Sequence, residues 1–153
     1  MSIYFDTGIL VKSYVLEADS HEAIALIESA GDALIHSHIH AIEIPNAIRL
    51  KRFRGELTKA QETAALRIYK GDLDAGRLAR PDYDLAEVFN QAERLSSKHS
   101  AEIGSRSLDW LHIGAALEIG CTIFASLDER QRKAAALAGL SLIPSRTKGI
   151  RNS

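Results

Sequence analysis

Along the 153-residue chain, short apolar runs alternate with longer segments whose apolar positions recur every three or four residues. The run Ile3-Tyr4-Phe5 predicts a short buried strand, and Asp6-Thr7-Gly8 then turns the chain into an apolar-patterned helix over residues 9–15. Asp19 and Glu22 have capping-box spacing for a helix with Ala23, Ile24 and Ile27 on its apolar face, ended near Gly31. A strand at 33–35 leads through a histidine-rich stretch, 36–40, into a helix carrying Ala41, Ile42, Ala47, Ile48 and Leu50 and ending at Gly55. Pro45 interrupts that pattern. An interior proline removes a hydrogen bond and costs about 3 kcal/mol, so a kink or a late helix start is expected.

Thr58 with Gln61 and Asp84 with Glu87 open two further helices, with a brief strand at 78–81 between them. Ser107 is placed to cap a helix through Leu108, Leu111, Ala115 and Ile119, stopped by Gly120. A strand at 122–125, a helix at 129–138 ended by Gly139, and a strand at 140–143 complete the chain. Strands alternating with helices across short turns predict an α/β fold with a parallel sheet covered on both faces. In such sheets the functional crevice lies at the carboxyl ends of the strands, where Asp6 and Asp128 both fall.

At 46% hydrophobic content a chain of this length buries a core without disulfides, so one domain is expected over 1–145, with a basic tail at 146–153. Cys121 is the only cysteine and has no thiol to pair with. Neither a secretion signal nor an apolar run near the roughly 18 residues of a membrane span is seen, so the expectation is a cytoplasmic protein. A net charge of −1 gives no sign of a strongly basic surface, so any nucleic-acid contact must come from local clusters. These are Arg49, Lys51, Arg52 and Arg54; Arg130, Arg132 and Lys133; and Arg146, Lys148 and Arg151. Taken alone, each reads more readily as a solvated helix face.

Four acids stand out by context. Asp6 and Asp128 follow strands, and Glu43 and Asp109 lie on helices that can border the same crevice. Helix capping explains Asp6 and Asp128 completely, and the helix dipole explains Asp109. Glu43 is harder to explain that way, because Ala41-Ile42-Glu43-Ile44-Pro45 surrounds a carboxylate with apolar neighbours and supplies no cation. Two like charges about 4 Å apart repel by roughly 4 kcal/mol at an effective dielectric of 20. Four carboxylates in one pocket would therefore take up protons or hold a hard divalent cation.

The runs Tyr4-Phe5-Asp6-Thr7-Gly8-Ile9-Leu10-Val11-Lys12, Ala41-Ile42-Glu43-Ile44-Pro45-Asn46-Ala47, Ser107-Leu108-Asp109-Trp110-Leu111-His112-Ile113-Gly114-Ala115-Ala116 and Phe124-Ala125-Ser126-Leu127-Asp128-Glu129-Arg130 resemble the motifs of PIN-domain ribonucleases. The whole chain is similar to the VapC-type toxins of toxin-antitoxin pairs. The resemblance implies a three-layer α/β/α sandwich and metal-dependent endonucleolytic cleavage of RNA. It implies Mg²⁺ or Mn²⁺ held by Asp6, Glu43 and Asp109, with Asp128 as a fourth acid and Ser126 and Thr7 as supporting hydroxyl groups. It further implies a homodimer and a small antitoxin partner lying across the active-site groove. Arg49, Arg52 and Arg130 are the candidate RNA contacts. Gly8 departs from the family pattern, standing where a small polar residue is common.

Two rival readings differ in class. His36, His38 and His40 alternate, which on a strand would put three imidazole groups on one face as zinc ligands of a hydrolase. A non-catalytic module of the same fold would instead bind RNA or protein. His112, one turn beyond Asp109, is either its hydrogen-bond partner or a polar contact on a helix; Trp110 and Tyr69 either stack on bases or pack between helices. Gly-x-Ser-x-Gly, Gly-x-Gly-x-x-Gly and phosphate-loop motifs are all missing, which leaves serine hydrolase, dinucleotide and nucleoside triphosphatase chemistry unsupported.

Overall fold

The computed structural model describes residues 2–31 and 33–146. In chain order the elements are β1 (Ile3–Phe5), α1 (Thr7–Val11), α2 (Ser20–Ala30), β2 (Leu34–Ile35), α3 (His38–Phe53), α4 (Lys59–Asp74) and β3 (Leu78–Ala79). They continue with α5 (Leu85–Ile103), α6 (Ser107–Ile119), β4 (Ile123–Ala125), α7 (Glu129–Leu137) and β5 (Ser141–Ile143). All strand pairs are parallel. One ladder has the order β1-β4-β5, with Phe5 opposite Ala125 and Ala125 opposite Ile143; β2 and β3 form a second, and β2 lies alongside β1.

Alternation along the strands builds the layers, because neighbouring side chains on a strand point to opposite faces. On β1, Tyr4 enters a cluster with Val88, Trp110, Ile113, Phe124 and Ala134, from α5, α6, β4 and α7. The adjacent Phe5 enters a second cluster with Ile9, Leu10, Ile44, Ile48 and Tyr69, from α1, α3 and α4. Tyr4 and Phe5 are both essentially inaccessible, as expected of a parallel sheet covered on both faces. The fold is the expected three-layer sandwich.

Several local expectations change. The first helix stops at Val11 and leaves through tight turns at Ser13 and Tyr14 instead of reaching residue 15, because the Tyr14 hydroxyl is drawn to Asp72 of α4 (2.7 Å). Asp19 precedes α2 without capping it by its side chain. The third helix begins at His38, seven residues before Pro45, so it does not start at the proline, and it continues past it to Phe53. Burial of Ile44 and Ile48, roughly 1.5–3 kcal/mol each, offsets the lost hydrogen bond. Ser107 is the first residue of α6 and not its cap; Asp109 reaches back to accept the Arg106 N–H at 2.9 Å. The Thr58–Gln61 box forms as predicted, and Asp84 caps α5. Of the expected basic tail, Arg146 pairs with Glu129 and reaches the Leu127 carbonyl, while residues 147–153 lie outside the described residues.

Candidate active site

The carboxyl ends of β1 and β4 lie side by side, and the residues that follow them build one end of the molecule. Asp6 extends the ladder through its N–H to the Ala125 carbonyl (2.9 Å) and then caps α1, its Oδ1 accepting the Ile9 N–H at 2.8 Å. The Ser126 hydroxyl, directly after β4, donates to Asp6 Oδ2. Asp6 is only 5% exposed. Burial raises its pKa, against the opposing pull of Ser126, the Ile9 N–H, His112 and Lys12.

Two residues beyond Ser126, Asp128 caps α7: its Oδ1 accepts the N–H groups of Arg130 (2.9 Å) and Gln131 (3.1 Å). From the first turn of α6, Asp109 Oδ2 stands 3.5 Å from the Arg130 Nε. Glu43, in the second turn of α3, accepts hydrogen bonds at Oε1 from the Thr7 hydroxyl (2.9 Å) and from His112 Nε2. Burial would raise the Glu43 pKa, but the hydrogen bonds from His112 and Thr7 oppose it, and the carboxyl is held below its usual range.

Asp6, Glu43, Asp109 and Asp128 all line one hollow of about 380 Å³, as does Thr7; Ser126 supports it from behind. The chain separations among these acids range up to more than a hundred residues, so only the fold brings them together. Asp19 and Lys12 face the same hollow, 3.6 Å apart, and were not singled out from the sequence; Asp19 read as a helix cap. His112 also lines the hollow, with a partner that differs from the one its spacing suggested. It is 2% exposed and serves Glu43, not Asp109, because its ring leans toward α3. No sequence signal pairs two residues 69 apart.

The imidazole trio does not form. His36 lies after β2 and bonds Tyr69, whereas His38 and His40 belong to the first turn of α3 and bond Tyr83 and the Phe5 carbonyl. A helix start replaces the extended backbone that would have aligned them. Trp110 and Tyr69 are buried helix-packing residues, and the Trp110 indole N–H donates to Ser100 at 2.6 Å. Arg49 and Arg52 sit on the exposed far end of α3, away from the hollow, with Arg52 paired to Glu62. Beside Gly8 there is room: a Cβ there would stand 3.5 Å from Asp6 Oδ1, an ordinary contact.

The donor set suits a hard divalent cation. Among the described residues, Glu43 Oε2, Asp109 Oδ1 and Asp128 Oδ2 have no hydrogen-bond partner, so each of these acids keeps an oxygen available. Also among the described residues, no three His, Cys, Asp or Glu side chains close around one point tightly enough to form a metal cage. Magnesium needs no such cage, since it keeps several waters and takes one or two carboxylates plus substrate oxygens.

A parallel α/β/α sandwich with carboxylates gathered at its strand carboxyl ends defines a class of protein built around an acidic site. The chain belongs to the PIN domain family, which it matches over residues 3–137. PIN domains are typically nucleases and generally use divalent metal ions. Among solved structures the chain is similar to FitAcB from Neisseria gonorrhoeae, at 17% identity and a TM-score of 0.58, covering 92% of this chain and 95% of that one. That likeness is one of fold. A comparison with curated proteins found no match.

Proposed function

We propose that this protein is a metal-dependent endoribonuclease, the VapC-type toxin of a type II toxin-antitoxin pair. The observation that carries the proposal is the convergence of Asp6, Glu43, Asp109 and Asp128 on one hollow, three of them with an oxygen that no other described residue bonds. These four acids would hold Mg²⁺ or Mn²⁺. When bound, such an ion supplies an activated water and neutralises charge on the phosphodiester. The chain's own groups prepare the site: Ser126 and the Ile9 N–H orient Asp6, Thr7 and His112 orient Glu43, and α7 presents Asp128. Arg130, Arg49 and Arg52 are the proposed RNA contacts.

An apolar groove of about 670 Å³ opens beside the hollow and shares Thr7, Glu43 and Leu108 with it. Its exposed Ile42, Phe89 and Leu108 side chains support an antitoxin segment docking there with apolar side chains, close enough to cover the acids. A homodimer and a single nuclease domain over 1–145 are part of the same proposal. No helix among the described residues is long and apolar enough to cross a membrane. A cytoplasmic location is proposed on the same footing.

A binding-only role has one observation in its favour: Arg130 and His112 already stand beside Asp109 and Glu43. Purified protein incubated with structured RNAs separates the two. Cleavage is expected in Mg²⁺ or Mn²⁺, is abolished by EDTA, and falls on the order of 100-fold or more in Glu43→Gln and Asp109→Asn, since removing a ligand costs at least as much as removing its outer partners. RNA that is bound but left intact by the wild type would favour the binding module.

A further inference from the structure

Behind the acidic hollow runs a buried hydrogen-bonded chain that the proposed chemistry does not by itself require. The Tyr4 hydroxyl lies 2.8 Å from Ser37 Oγ and 2.7 Å from His112 Nδ1, and the other nitrogen of that ring, Nε2, meets Glu43. Ser37 in turn caps α3 through the His40 N–H, and its own N–H reaches His40 Nδ1 at 3.0 Å. Tyr4, Ser37, His40 and His112 are at most 2% exposed. We propose that Tyr4 is a positioning residue of the carboxylate site, acting through His112 to hold Glu43; this rests on reading those acids as the site.

The donor directions follow from the ends inward. A backbone N–H can only donate, so His40 Nδ1 accepts from Ser37 and His40 Nε2–H donates to the Phe5 carbonyl at 2.8 Å. Ser37 Oγ accepts the His40 N–H and spends its own proton on the Tyr4 oxygen. At the other end a carboxylate can only accept, so His112 Nε2 donates to Glu43. In a neutral ring Nδ1 then accepts from the Tyr4 O–H. The bonds from the His40 N–H through Ser37, Tyr4 and His112 to Glu43 all run one way, toward the hollow, and select one tautomer and one orientation of His112, while the His40 ring is held separately between the Ser37 N–H and the Phe5 carbonyl.

Packing does not demand the hydroxyl. The Tyr4 ring is stacked on His40 (4.8 Å between centroids) and on Phe124 (5.6 Å), contacts that a phenylalanine would keep. Tyr4→Phe therefore removes the relay and leaves the core filled. The loss frees His112 Nδ1 from its donor and lets the ring turn or change tautomer, and Glu43 loses a fixed partner. Groups that orient a metal ligand from behind typically change metal affinity by about 10–100-fold when removed.

Two measurements test this. Imidazole nitrogen NMR on the metal-free protein, with His112 assigned from its absence in His112→Gln, is expected to show a single Nε2–H tautomer in the wild type and a mixture in Tyr4→Phe. Mn²⁺ titration is expected to give about tenfold weaker binding in Tyr4→Phe, with kcat reduced to a similar extent and KM for RNA changed less than about twofold. A Tyr4→Phe protein that keeps the wild-type tautomer and binds Mn²⁺ as tightly overturns the proposal, whatever its melting temperature. Should the tautomer shift while the wild type binds no Mn²⁺, the relay to Glu43 stands and the metal-dependent reading falls.

Discussion

Asp6 carries its carboxylate in the floor of the hollow, where it is almost wholly removed from water and its pKa is raised by burial. A carboxyl whose folded pKa lies above its unfolded value binds protons more readily in the folded state, so it weakens the fold as pH rises through that interval. At neutral pH and without a cation, Asp6→Asn removes this cost while keeping an acceptor for the Ile9 N–H and a partner for Ser126. The expected outcome is a melting temperature raised by about 2–4 °C, the shift roughly 1 kcal/mol produces in a domain of this size, together with RNA cleavage lost by about 100-fold. Thermal denaturation in EDTA and a cleavage assay on the same preparation check both halves. A lowered melting temperature would show that the charge, although buried, is more than compensated by its neighbours. His112 makes the complementary case: the protein has placed it to serve one carboxylate, and its value lies in orientation.

At the scale of elements, the site depends on how closely α5 and α6 approach, because α6 carries both Asp109 and His112. Gly114 sets that distance. A Cβ at this position would stand 2.7 Å from the Val88 carbonyl oxygen of α5, a separation at which backbone must move. Gly114→Ala is expected to cost about 1–3 kcal/mol, as overpacking a core does, and to weaken cleavage by shifting α6. Urea unfolding measures the first effect; stability equal to that of the wild type would mean that the helices part without strain. The pattern of caps tells a related story. Thr58 and Asp84 cap as their spacing predicts because their helices start at the surface, where local chemistry decides. Asp19 sits at the hollow instead, where it turns to Lys12, and at the start of α6 the expected cap Ser107 gives way to Asp109, which accepts the Arg106 backbone N–H and stands beside Arg130.

For the whole molecule, the joining of β2, α3 and α4 buries His36 against Tyr69, with Arg80 and the His40 ring nearby. Burial first, and the Arg80 charge second, lower the His36 pKa from 6.5 to about 4. The unfolded chain then binds more protons than the folded one between these values, so this stability is complete above about pH 6.5 and is lost as pH falls toward 4. Unfolding in urea at pH 7 and pH 4.5 should show a loss of roughly 2–3 kcal/mol from His36, to which His40, shifted the same way, adds. His36→Gln is expected to flatten that fall; an unchanged acid profile would place the loss elsewhere.

The same long-range joining separates what was legible in the chain from what was not. Period-two and helical patterns, turn glycines such as Gly31 and Gly120, and the position of Asp6 and Asp128 after strands were all readable, because each depends on residues within a turn or two of one another. The sequence by itself therefore determined the covered parallel sheet and placed two candidate acids at its strand ends, while the meeting of all four in one hollow was left to the fold. Tertiary structure alone decided that α3 continues through Pro45, that three alternating histidines part company, and that His112 and Tyr4 stand behind Glu43. Those outcomes arise from packing and hydrogen bonds between residues 33 to 108 positions apart, which no local periodicity encodes.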